Sequence, residues 1–203
     1  MKISVIGAGK VGGNLGAGWV KSGHEVLYGV RDPNSEKTRK TLSTSSSAKV
    51  GTLAEAAAFG DVVVLTVPWV AARETIAALG NLSGKIVIDA MNAFAPPAVE
   101  HGSVGQDVAA MAAGARVVKA FNTMGEETMA NPDFKGQRAT AFVCGDDADA
   151  KAVVIQLAKD LGLDAYDAGA LTNAVYAEGM TKIWASLARG GLGRDIAFKL
   201  IKR

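Results

Sequence analysis

At 203 residues, 49% hydrophobic and 21% charged, the chain has enough apolar material for one well-cored unit and too little length for two full domains. The net charge of +2 is spread over both signs without a basic block, so nucleic acid is not the expected partner. A single cysteine, Cys144, excludes an intrachain disulfide and a cysteine-cluster metal site, and two histidines far apart give no metal spacing. Any reactive atoms must be borrowed from a cofactor.

Short Val/Ile-rich runs recur along the chain: "KISVIG" (2–7), "EVLYGV" (25–30), "DVVVLTVP" (61–68), "KIVIDA" (85–90), "ARVVKAF" (115–121), "ATAFVCG" (139–145) and a last one around "LDAYDAG" (163–169). Apolar strands of this kind are buried on both faces, as in a parallel sheet. Between them lie expected helices at 12–22, 35–42, 52–58, 69–79 and 148–161, with "STSSSA" (43–48) as a polar loop. Strand and helix alternate over most of the length, which predicts a doubly wound, mostly parallel α/β fold of the Rossmann dinucleotide-binding type over 1–170. Residues 171–203 are expected to be a short helical tail: one helix, a glycine break at Gly190, Gly191 and Gly193, and a final helix with a basic end. The apolar runs fall below a membrane span and the start lacks a signal pattern, so a soluble cytoplasmic protein with no membrane partner is expected.

The motif G-A-G-K-V-G, with Gly7, Gly9, Lys10, Val11 and Gly12, directly follows the first strand and opens a helix. In that setting the first glycine permits the turn, the second admits the pyrophosphate and the third lets helix and sheet pack closely. The second strand ends "YGVRDP", placing Arg31 where a guanidinium takes a 2′-phosphate in a forked pair, which favours NADP(H). Asp32 follows at once and, turned inward, would instead accept ribose hydroxyls. Gly13, Gly16 and Gly18 read as packing glycines on the same helix.

Ligands of open α/β sheets bind beyond the carboxyl ends of the strands. The candidates there are Val67 and Pro68 in "TVPW", with Trp69 beside them as either an aromatic surface or a core residue. Ala90, Met91 and Asn92 follow in "DAMNAF", and Asn122, Thr123 and Met124 in "KAFNTMGEE". Asn122 and Thr123 can position a carboxamide or a ring heteroatom. No strong general acid or base stands out. His24 reads as structural, His101 as solvated, Cys144 as core, and Glu178 with Lys182 as an exposed ion pair one helical turn apart. Hydride exchange between a nicotinamide and a flavin-like ring mainly needs two rings held in contact, and it suits this roster.

The pieces "GHEVLYGVRDP" (23–33), "VLTVPW" (64–69), "VCGDD" (143–147), "DAGAL" (167–171) and "GGLGRDIAFKL" (190–200) resemble, in that order, the NADPH-dependent coenzyme F-420 (F420) reductases. They are also similar to the NADPH-binding domain of the six-transmembrane metalloreductases. The resemblance spans essentially the whole chain. It implies NADPH on Gly7, Gly9, Gly12 and Arg31, facing a deazaflavin or a flavin (FMN or FAD) at Pro68, Asn122, Thr123 and Met124, usually in a homodimer. The family's deazaflavin enzymes typically carry a histidine before the rim threonine, where this chain has Asn122, and "KAFNT" is closer to the metalloreductases, whose acceptor is a flavin. The expected activity is therefore NADP(H)-dependent reduction of a small-molecule deazaflavin or flavin acceptor. An NADPH-binding sensor without turnover and a small imine or carbonyl reductase stand as alternatives. The apolar helix carrying Ile183, Trp184 and Leu187 is expected to bury against a twin subunit.

Overall fold

The computed structural model describes residues 1–36, 38–39 and 48–203. The expected helix at 35–42 and the loop at 43–48 lie largely outside the described residues. In chain order the elements are β1 (Lys2–Ile6), α1 (Lys10–Lys21), β2 (Glu25–Gly29), β3 (Lys49–Gly51), α2 (Leu53–Phe59), β4 (Val62–Leu65), α3 (Ala72–Leu79), β5 (Ile86–Asp89), α4 (Val104–Met111) and β6 (Arg116–Lys119). There follow α5 (Glu126–Ala130), the hairpin β7 (Asp133–Phe134) and β8 (Gln137–Arg138), β9 (Thr140–Gly145), α6 (Ala148–Asp160), β10 (Asp164–Asp167) and α7 (Ala174–Leu187).

The main sheet runs β10-β9-β6-β5-β4-β1-β2-β3. Strands β1 to β6 are mutually parallel, whereas β9 pairs antiparallel with β6 and carries β10 parallel to itself. The apolar run at 139–145 is thus a buried strand of reversed direction. Residue alternation splits the core over two faces. Val62 and Val64 join Ile3, Val5, Leu15 and Trp19 on one, and Val63 and Leu65 join Ile6, Val87, Val104 and Val108 on the other. Helices cover both faces, as a parallel sheet buried on both sides requires.

Two expectations need correction. The final helix is not formed: after the break, Gly191 (φ 113°) and Gly193 (φ 72°) turn the chain, and 194–203 run back without helix along β9. Strand β9 meets β6 only at Cys144 and Gly145, so its start is free to bond the tail: the Thr140 amide donates to Phe198 O at 2.9 Å and the Leu200 amide to Thr140 Oγ1 at 3.0 Å. Trp184 is buried in its own chain, its indole N–H donating to Ile196 O at 2.7 Å, and so it is not part of an outer apolar face. Exposed on α7 are Val175, Tyr176, Ile183 and Leu187.

Candidate active site

In the order β3-β2-β1-β4-β5-β6 the strand sequence reverses between β1 and β4, and the crevice beyond their carboxyl ends is where such sheets take ligands. The glycine loop fills that position. Gly7 sits at φ 105°, its amide bonded to Gly29 O at 3.0 Å. A Cβ on Gly12 would lie 2.1 Å from Gly7 O, so helix α1 approaches the loop as closely as backbone allows. A Cβ on Gly9 would meet nothing within 4 Å, and among the described residues no side chain caps α1, whose first turn carries no acidic residue. Open space over uncapped helical amides fits a pyrophosphate. The Thr66 hydroxyl lies 2.9 Å from Ile6 O and 3.1 Å from Gly7 O and braces the turn, a role that its place just beyond an apolar strand did not reveal. Lys10 opens α1 with its ammonium 2.6 Å from Glu126 of α5, while Val11 packs half-buried against the core.

At the end of β2 the Arg31 guanidinium is exposed and makes no ion pair among the described residues. The Asp32 carboxylate accepts the Asn34 amide at 2.9 Å, and its backbone carbonyl accepts the Ser35 amide at 3.3 Å. Asp32 therefore builds the next turn, and Arg31 stands exposed beside it at the end of β2.

Val67, half-buried, packs beside Gly7, and Pro68 leads into the short turn 69–71 that begins α3. Trp69 is a core residue, its indole N–H bonded to Pro97 O at 2.8 Å. Beyond β5, Ala90 and Met91 are buried and Asn92 is half-buried. Beyond β6, Phe121 takes the left-handed φ of 64° and lies edge-on to Trp19 at 5.8 Å. That strained backbone turns Asn122, Thr123 and Met124 inward, where all three are buried. Asn92 donates to Asn122 O at 3.1 Å, and the Asn122 amide reaches Asn92 Oδ1 at 3.3 Å and Thr181 Oγ1 at 3.0 Å. Among the described residues Asn122 Oδ1 and Thr123 Oγ1 stay buried without a hydrogen-bond partner, the kind of orphan a ligand amide or ring heteroatom satisfies.

A charged cluster stands behind this rim. Lys119, fully buried, contacts Asp89 Oδ2 at 2.9 Å, Met91 O at 2.6 Å and Glu178 Oε1 at 3.0 Å. Complete burial pushes the Asp89 carboxyl above its ordinary range, with the Lys119 ammonium pulling the other way. Glu178 is thus an internal partner of Lys119 and of the first amides of α4, and not half of an exposed pair with Lys182. In the sequence Lys119 and Asp89 are only polar residues closing apolar runs; their register pairing appears in the fold alone. Elsewhere His24 pairs with Asp160 at 2.9 Å, tying the turn between α1 and β2 to the end of α6, and His101, half-exposed, pairs with Asp107 at 2.7 Å. Burial raises the Cys144 thiol, consistent with an inert core position.

Residues 2–93 match the family model described as "NADP oxidoreductase coenzyme F420-dependent". The F420-dependent NADP reductase of Methanothermobacter thermautotrophicus is 31% identical over 207 residues, covering 92% of this chain and 89% of that protein. The chain belongs to the F420-dependent NADP reductase family. A crystal structure of a candidate member from Arthrobacter sp. FB24 superposes with a TM-score of 0.89 at 31% identity, with each chain fully covered. Rat metalloreductase STEAP3 is 27% identical over 175 residues; the match takes in 85% of this chain but spans about a third (35%) of STEAP3. No helix among the described residues is long and apolar enough to cross a membrane.

Proposed function

We propose that the chain exchanges a hydride between NADP(H) and coenzyme F420. NADPH gives up the hydride and becomes NADP⁺, and the deazaflavin takes that hydride together with a proton from solvent. The protein's work is placement. The uncapped start of α1 and the open space over Gly9 take the pyrophosphate, Arg31 takes the 2′-phosphate, and Asn122 and Thr123 supply buried polar atoms to the nicotinamide end. Ala90, Met91, Asn92, Val67 and Pro68 line the crevice between, and Met124 backs it. The observation that carries this reading is the glycine cradle, open over Gly9 and closed at Gly12, beside an exposed Arg31 that makes no ion pair among the described residues and whose acidic neighbour caps the next turn. Membership of the family supports F420 as the acceptor.

The exposed face of α7, with Tyr176, Ile183 and Leu187, supports a homodimer in the same reading. The test is loss of NADPH absorbance with F420, FMN, FAD or no acceptor, with NADH in parallel. Rapid turnover with F420 and NADPH is expected. Turnover with FMN or FAD alone would reassign the acceptor to a flavin, and tight NADPH binding with no turnover would contradict an enzymatic role.

A further inference from the structure

The Lys119 cluster is not explained by stability. Burying an ammonium and two carboxylates is costly, and apolar side chains of similar size commonly hold a core as well or better. What an ionic cluster adds is direction, because each bond fixes a donor against a particular acceptor. Here two of the bonds converge on the backbone of one residue. Met91 is gripped at both ends, its carbonyl by Lys119 at 2.6 Å and its amide by Asp89 Oδ1 at 2.9 Å. The next residue, Asn92, then bonds across to Asn122 O at 3.1 Å, so the β5 and β6 turns are held as one plate. The third acceptor comes from outside the sheet. Glu178 on α7 takes the remaining Lys119 bond at 3.0 Å and plugs into α4, where its carboxylate accepts the amides of Val104 at 3.1 Å and Gly105 at 3.3 Å.

We propose that Lys119 and Glu178 are positioning residues: through the backbone of Met91 they hold the turn that receives the nicotinamide, and so make α7 part of the cofactor site. This rests on the placement of NADP(H) proposed above. Lys119 uses its three protons on Asp89, Met91 and Glu178 and, fully buried, presents no surface to the crevice. Its effect passes through the backbone, and removing Glu178 leaves Met91 with a cation free to swing toward Asp89. The glycine loop and Arg31 lie on β1, α1 and β2, outside this network. A loss confined to the nicotinamide half of the cofactor is the signature.

The experiment compares NADPH with 2′-phospho-ADP-ribose, which is NADP without its nicotinamide, by titration against the full chain. Lys119→Met strands two buried carboxylates and endangers the fold, so Glu178→Ala and Glu178→Gln carry the test. Glu178→Ala is expected to weaken NADPH about 3- to 10-fold while 2′-phospho-ADP-ribose stays within about twofold, and Glu178→Gln, which still accepts from Lys119, is expected to recover most of the loss. Equal weakening of both ligands would overturn the proposal, because it reports general loosening. Unchanged NADPH binding in Glu178→Ala would overturn it too, as would a native chain that binds the two ligands equally. None of these readouts involves an acceptor. A chain that shows the expected pattern and yet fails to reduce F420 would count against the proposed function alone.

Discussion

A methyl group on Gly12 would sit 2.1 Å from Gly7 O and 2.6 Å from the Thr66 hydroxyl, with backbone on one side and a braced side chain on the other. Gly12→Ala is therefore expected to push α1 off the loop and abolish measurable NADPH binding, checked by titration of NADPH fluorescence. At Arg31 the loss should be selective. Arg31→Ala is expected to weaken NADPH about 10- to 100-fold, the worth of a forked charge-assisted pair, and to leave NADH nearly unchanged. Similar losses for both cofactors would remove Arg31 from the 2′-phosphate. The place of both residues, one in a glycine loop between strand and helix and one just past the second strand, was legible in the sequence because it is set by local chemistry. Lys119 was not: it closes an apolar run and reads as an ordinary strand end, and its partners lie on β5 and α7. Asn122 was legible as a rim residue, but its amide turned toward Thr181 and Asn92 only through the strained turn at Phe121.

Helices without a strong apolar period show why caps matter. Helix α2 opens with a capping box: the Glu55 amide donates to Thr52 Oγ1 at 3.3 Å and the Thr52 amide to the Glu55 carboxylate at 2.7 Å. Thr52→Ala is expected to cost about 1 kcal/mol, read as a lower urea midpoint at unchanged slope. Helix α4 carries the same signature in "SVGQ", with the Gln106 amide bonded to Ser103 Oγ at 3.1 Å, yet its glycine and its eight-residue length hid it from an argument built on hydrophobic period. The three residues of β3 and the β7-β8 hairpin are too short to announce themselves. The tail at 194–203 misleads for the opposite reason. Its composition suits a helix, but the unpaired start of β9 offers backbone partners that a helix could not use.

Across the whole molecule the doubly wound, mostly parallel sheet was legible, since continuous apolar runs separated by helices leave few topologies, whereas the strand order and the reversal at β9 are set by pairings between distant segments. The docking of the tail was not legible either, because it too depends on pairs between distant segments. Arg194 is the clearest, gripping Glu127 at 2.6 Å and 3.2 Å while lying 5.2 Å over the Trp184 ring. The Arg194 hydrogen bond holds the Glu127 carboxyl below its ordinary range, so its contribution to stability is present above that range and is lost as the pH falls through the lowered value. Arg194→Gln is expected to lower the urea midpoint at neutral pH and to flatten its decline on acidification; an unchanged acid slope would mean that the pair contributes nothing in solution. The central claim concerns the cofactor, and the most direct measurement follows the hydrogen itself. NADPH deuterated at the transferable nicotinamide carbon, in each stereochemical form separately, is mixed with coenzyme F420 and the protein, and the reduced deazaflavin is weighed by mass spectrometry. Deuterium carried into the deazaflavin from one form and not from the other is the predicted result. Reduced deazaflavin without deuterium from either form, or no reduction at all, would contradict hydride transfer across this crevice.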